Sequence, residues 1–141
     1  MVEALIQKLE EHGILDNTYV VFTSDNGYHI GQHRMPPGKG CGYETDIHIP
    51  LIMRGPGIPK GRKTEVVTTH TDLAPTFLQM AGQPMKEYFD GKPIPLDEQN
   101  LQKAESSTST EHVNVEFWGV IINEGTSYYG RELNSSFPHW A

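Results

Sequence analysis

The stretch Thr18–His33, TYVVFTSDNGYHIGQH, sets a run of strand-forming apolar residues directly against an acid, an amide, a glycine and two histidines. Thr18 to Thr23 is almost continuously apolar, as expected of a strand covered on both faces of a sheet. Open α/β sheets place ligand sites at the C-terminal ends of such strands. Asp25 offers a charged carboxylate there, Asn26 a neutral carbonyl oxygen, and Gly27 lets the chain turn behind them. Two adjacent hard oxygen donors suit calcium or magnesium, although calcium takes six to eight oxygens and needs more than this pair. Taken alone, Asp-Asn-Gly reads more simply as a turn.

Working outward, residues 2–12 place Val2, Leu5, Ile6 and Leu9 at helical spacing, and Gly13 is a natural stop. Helix, turn, strand and polar loop make half of an α/β unit. Residues 24–46 have no period and are rich in glycine and proline, which predicts a long irregular loop. IHIPLIMRGPG (47–57) predicts a second strand, interrupted by Pro50, and TEVVTT (64–69) a third. HTDLAPTFLQMAG (70–82) predicts a helix with Thr71 or Asp72 as N-cap and Gly82 at its stop. Its expected buried face is Leu73, Phe77, Leu78 and Ala81. Residues 83–110 read as a polar excursion with a short helix near LDEQNLQKAE (96–105). HVNVEFWGVII (112–122) reads as a last strand, and the tail carries aromatics without a period.

The 141 residues are 36% hydrophobic and 21% charged, a globular composition. A net charge of -7 argues against a nucleic-acid partner. No apolar run reaches the length of a membrane span. The N-terminus lacks the basic start and apolar stretch of a signal peptide, so either the chain is not exported or its export signal lies outside this sequence, as in a secreted or lysosome/vacuole-like parent; no compartment is assigned. Cys41 is the single cysteine, so there is no intrachain disulfide framework.

FTSDNGYHIGQH, PPGKGCGYETDIHIPLIMRGPGI and VTTHTDLAPTFLQMAG follow one another with short gaps. In that order they resemble the C-terminal part of a sulfatase catalytic domain, of the alkaline phosphatase-like superfamily. The similarity is to fungal arylsulfatases and the glucosamine-6-sulfatase type. It implies an α/β fold, part of an alkaline phosphatase-like mixed sheet flanked by helices. Residues 1–82 would belong to the catalytic domain, and 83–141 would be a polar excursion with one strand and a divergent tail.

The resemblance also implies roles. Asp25 and Asn26 match the family's acid–amide pair on calcium. Lys39 matches the lysine that contacts the sulfate group, where an ammonium can follow charge developing on the ester oxygens. His29 and His33 are candidates to donate to a sulfate oxygen or protonate a leaving alcohol, and equally to hold a backbone carbonyl. Glu44 is expected to brace the loop by pairing with Lys39 or Arg54, and His70 and Asp72 to position the helix that follows them. The partner would be a small-molecule or glycan sulfate ester.

A sulfatase works through a formylglycine made from a cysteine in C-x-P-x-R or C-x-A-x-R. Cys41 stands in CGYET, with Tyr43 and Thr45 at the two decisive positions. It is therefore not the nucleophile, and a small apolar packing role is expected for it. The family's N-terminal acidic pair is not matched either. The sequence thus reads as an internal fragment of a longer sulfuric ester hydrolase. By itself it is expected to bind calcium weakly and to hydrolyse no sulfate ester. Two alternatives stand beside this: a catalytically inactive chain keeping only a calcium- or anion-binding loop, and a phosphoester hydrolase of the same superfamily.

Overall fold

The computed structural model describes residues 1–107 and 112–116. The expected strand 112–122 and the tail lie largely outside them, and the described residues 112–116 form no strand. The elements run α1 (Val2–Glu11), β1 (Val20–Phe22), α2 (Glu44–Ile47), β2 (Ile52–Arg54), α3 (Leu73–Met80) and α4 (Glu98–Glu105). Single 3-10 turns lie at Leu15–Asn17, Gln32–Arg34 and His70–Asp72. The chain divides into two compact units. One is Met1–Val21 with Met53–Asn114, and the other is built on Phe22–Ile52.

In the first unit, α1 ends as its sequence predicts. Gly13 adopts φ +66, its N–H donates to the Glu10 carbonyl at 2.9 Å, and Ile14 N–H donates to Leu9 at 3.0 Å. These two bonds satisfy carbonyls that the last helical turn leaves unpaired. Gly82, at φ +63, closes α3 in the same way through Gln79 and Leu78. α4 starts at Asp97, whose carboxylate accepts from Asn100 N–H at 2.9 Å.

β1 and β2 form a two-stranded sheet. β1 is shorter than the apolar run that specifies it and is only half-buried, with Phe22 46% exposed. A strand is covered only where neighbours pack on it, and the described residues supply one partner strand. The expected third strand at 64–69 does not form among the described residues. Its β-branched residues supply propensity, but a ladder also needs a partner edge.

α3 corrects the expected helix face. Pro75 and Thr76 are the fully buried positions, whereas Phe77 is 45% exposed. Thr76 is buried because its hydroxyl is fully used: Oγ1 donates to the Asp72 carbonyl at 2.6 Å and accepts from Ile94 N–H at 2.8 Å. Asp72 does position this helix. It closes a capping box with Thr69, and its other carboxylate oxygen accepts from Lys92 N–H at 2.9 Å. Ile94 and Leu101 complete this small core. Arg62 fastens α4 to the preceding segment by pairing with Glu98 at 3.4 Å and Glu105 at 2.7 Å.

Candidate functional site

All five candidate site residues lie in the second unit, in the loop expected at 24–46. That loop is less irregular than its composition suggests. Gly27 N–H donates to Asp46 O and Tyr28 N–H to Thr45 O, both at 2.8 Å. His29 and Gly38 exchange two backbone bonds of 2.9 Å. The loop is thus closed twice on itself.

Gly27 is required by this closure. A Cβ there would lie 2.8 Å from the Thr45 carbonyl carbon and 3.0 Å from Asp46 Cα, with the Thr45 oxygen closer still. The glycine of SDNG therefore serves a close backbone approach as well as a turn.

Asp25, Asn26 and Lys39 converge. Lys39 Nζ donates to Asn26 Oδ1 at 3.0 Å and lies 3.7 Å from Asp25 Oδ2. Ser24 Oγ supports the pair, donating to the Asn26 carbonyl at 2.9 Å and to Asp25 Oδ1 at 3.3 Å. The Asn26 amide nitrogen donates to Gly27 O at 2.6 Å, which aims its oxygen at the lysine. The Asn26 backbone N–H, and then the Lys39 charge, hold the Asp25 carboxyl below the usual carboxylate range. Asp25 is therefore ionised at neutral pH. Two side-chain oxygens facing one ammonium define a point where a cation is favoured. This donor set fits a hard divalent ion, with the remaining oxygens supplied by other groups.

His29 is not brought to that corner. It is 3% exposed, and its Nδ1 lies 2.8 and 3.0 Å from the two oxygens of Asp46, itself 4% exposed. Cys41 joins them: its backbone N–H donates to Asp46 Oδ2 at 3.1 Å and its thiol at 3.0 Å. Thr45 Oγ1 donates to Oδ1 at 3.2 Å. Burial alone would raise the Asp46 carboxyl, but hydrogen bonds from Cys41 and His29 hold it low. Burial, with the bond to Asp46, pushes the Cys41 thiol up. Cys41 is therefore a hydrogen-bonding member of a polar cluster, not the apolar filler expected from sequence. His33 sits elsewhere again, at φ 57, stacked on Tyr43 with ring centres 3.9 Å apart. Glu44 pairs with His48 at 2.8 Å, in place of the expected Lys39 or Arg54.

Sequence reasoning missed Asp46. It stands 17 residues from His29, and a single acid in ETDI carries no local signal. What pointed near it was the order of the motifs, since Asp46 follows directly on PPGKGCGYET.

Residues 1–83 match the family model described as Sulfatase. The sulfatase ppz1 of Metarhizium majus is 56% identical over 97 residues, covering 68% of this chain and 23% of that protein. A protein solved in complex with its substrate D-glucosamine-2-N,6-O-disulfate superimposes with a TM-score of 0.63 at 33% identity, over 74% of this chain and 20% of that one. The phosphonate monoester hydrolase of Silicibacter pomeroyi gives 0.62 at 35% identity, over 66% of this chain and 18% of that one. These neighbours have the alkaline phosphatase-like α/β fold. The chain spans less than a quarter of the length of the curated relatives it matches.

Proposed function

The chain belongs to the sulfatase family, and on that premise we propose that Asp25, Asn26 and Lys39 form part of the calcium- and sulfate-binding corner of a sulfuric ester hydrolase. The observation that carries this reading is the convergence of one ionised carboxylate, one amide oxygen and one ammonium within 3.7 Å. Asp25 and Asn26 would hold the calcium, which supplies positive charge to the sulfate oxygens when bound. Lys39 supplies a second, mobile charge. As the ester S–O bond breaks, negative charge grows on the departing oxygen and on the sulfate, and a fixed cation lowers the barrier most where that charge grows. Lys39 is 52% exposed and sits on a flexible stem, so it can leave Asn26 to meet an anion.

The burial of His29 on Asp46 supports a positioning role for it: holding the loop that carries Lys39. His33, exposed beside Tyr43, keeps its candidacy as a proton donor to the leaving oxygen. The nucleophile would come from a part of the domain other than this sequence, because Cys41 lacks the formylglycine context. Residues 1–82 would be catalytic-domain sequence and 83–141 a separate excursion. A sulfated sugar or aryl sulfate is the substrate class that fits.

Calcium titration by calorimetry tests the corner. Asp25→Ala should weaken calcium binding at least about tenfold, because it removes the only formal negative charge of the pair. An unchanged affinity would sink the assignment. A second reading, phosphonate or phosphate ester hydrolysis, is favoured by the likeness to the phosphonate monoester hydrolase. Asn26 argues against it, since the phosphoester-cleaving relatives tend to carry histidine there for a two-metal site. Competition at the corner by inorganic sulfate against phosphate separates the two.

A further inference from the structure

We propose that His29, Cys41 and Asp46 form a second cation site, for a thiophilic divalent ion of the zinc or cobalt class, separate from the Asp25–Asn26 corner. Three ligand types meet here: an imidazole nitrogen, a thiol sulfur and a carboxylate, all within 4.8 Å of one another. Nδ1 to Oδ1 is 2.8 Å, Sγ to Oδ2 is 3.0 Å and Sγ to Nδ1 is 3.9 Å. Around a tetrahedral ion with metal–sulfur bonds of about 2.3 Å and metal–nitrogen bonds of about 2.0 Å, ligand atoms stand roughly 3.3–3.6 Å apart. The observed spacings straddle that range, so shifts of about half an ångström complete the geometry.

The frame for those shifts is already fixed. His29 and Asp46 are buried, and their backbones are tied by the bonds of Gly27 to Asp46 and of His29 to Gly38. Cys41 is only partly buried, which leaves a side from which an ion can enter and a position open for a fourth ligand.

Protons and charge balance. The ion displaces two hydrogens that now face Asp46, that of the Cys41 thiol and that of His29 Nδ1. The thiol proton leaves to the buffer, and the Nδ1 proton is exchanged for one at Nε2, so the imidazole coordinates through Nδ1 as its Nε2–H tautomer with one proton released overall. One divalent cation then faces one thiolate and one carboxylate, so the buried cluster becomes neutral. A thiolate also discriminates against hard ions, which prefer all-oxygen shells. The two sites would sort cations by hardness, calcium to Asp25–Asn26 and the softer ion to Cys41. Bound metal would pin the loop two residues from Lys39.

Cobalt(II) titration of the whole chain tests this. Cys41 is the single cysteine, so thiolate-to-cobalt charge-transfer absorption reports this site alone, whatever the other histidines bind. The expected result is a band saturating at one cobalt per chain, bleached by zinc, retained in Asp25→Ala and absent in Cys41→Ser. Its apparent affinity should rise about tenfold per pH unit near neutrality, as the thiol proton is displaced. No band at saturating cobalt overturns the proposal. Saturation at half an equivalent overturns it too, because it would mean two chains bridged through Cys41. Retention of the band in a folded His29→Gln variant removes His29 from the site and overturns the three-ligand assignment.

Discussion

Replacing Gly27 by alanine tests the frame on which the site rests. The new methyl would meet Thr45 and Asp46 backbone, not a side chain that can swing aside. To restore ordinary contact with the Thr45 carbonyl oxygen, segment 45–46 must retreat by about 1.5 Å. The bonds of Gly27 N–H to Asp46 O and Tyr28 N–H to Thr45 O are 2.8 Å long. Stretched by that amount, neither is a hydrogen bond any longer. Each lost bond costs about 1 kcal/mol, and more where its donor stays away from water. Together with overpacking, the total is about 2–4 kcal/mol. Urea denaturation followed by far-ultraviolet circular dichroism reads this as a lower midpoint with an unchanged slope. Asn26 and Asp46 would move with the backbone, so calcium affinity should fall as well. A Gly27→Ala chain within about 0.5 kcal/mol of wild type would refute the close approach as the reason for this glycine.

Further outcomes follow from other contacts. Thr76→Val keeps the shape but leaves the Ile94 N–H buried without an acceptor, and should cost about 1–3 kcal/mol, whereas Thr76→Ser should recover most of it; equal stability of the two variants would contradict this. Asp97 has its carboxyl held low, chiefly by the Asn100 backbone N–H. A depressed folded-state value means its contribution is present above the unfolded value of about 3.9 and is lost as pH falls through the folded one. Helicity of α4 should therefore drop in acid, and Asp97→Asn should remove that pH dependence while keeping the cap. In a sulfatase containing this segment, Lys39→Ala should lower kcat by about a hundredfold or more, with Lys39→Arg a poor substitute. Near wild-type kcat in Lys39→Ala would remove the ammonium from the reaction.

Local signals carried α1, α3 and α4, but not α2, which stands where the sequence predicts irregular loop and the start of a strand. Gly13 and Gly82 marked the ends of α1 and α3, and each closes its helix with the two bonds such a glycine permits. The meeting of SDNG with PPGKG was legible only because motif order joined them, for the Lys39–Asn26 bond spans 13 residues. The buried face of α3 was not legible. Hydrophobic periodicity favours Phe77 over Thr76, and it cannot register that the threonine hydroxyl would find both a donor and an acceptor. The His29–Asp46–Cys41 cluster was invisible for a related reason: His29 and Cys41 were read singly, Asp46 carries no local signal, and only the folded backbone brings the three together.

The double closure of the loop around Lys39 has a consequence for how its charge is delivered. A lysine on an open excursion would sample a large volume, and most of its encounters with a bound anion would be lost to conformational entropy. Here Gly38 is paired to His29, and Cys41 is tied to Asp46 on the other side. Lys39 is left as the free crest of a short tether, so its effective concentration at Asn26 is set by the stem of one side chain. On the proposed reading of Lys39, the buried imidazole–carboxylate bond would act on rate through the local molarity of an ammonium.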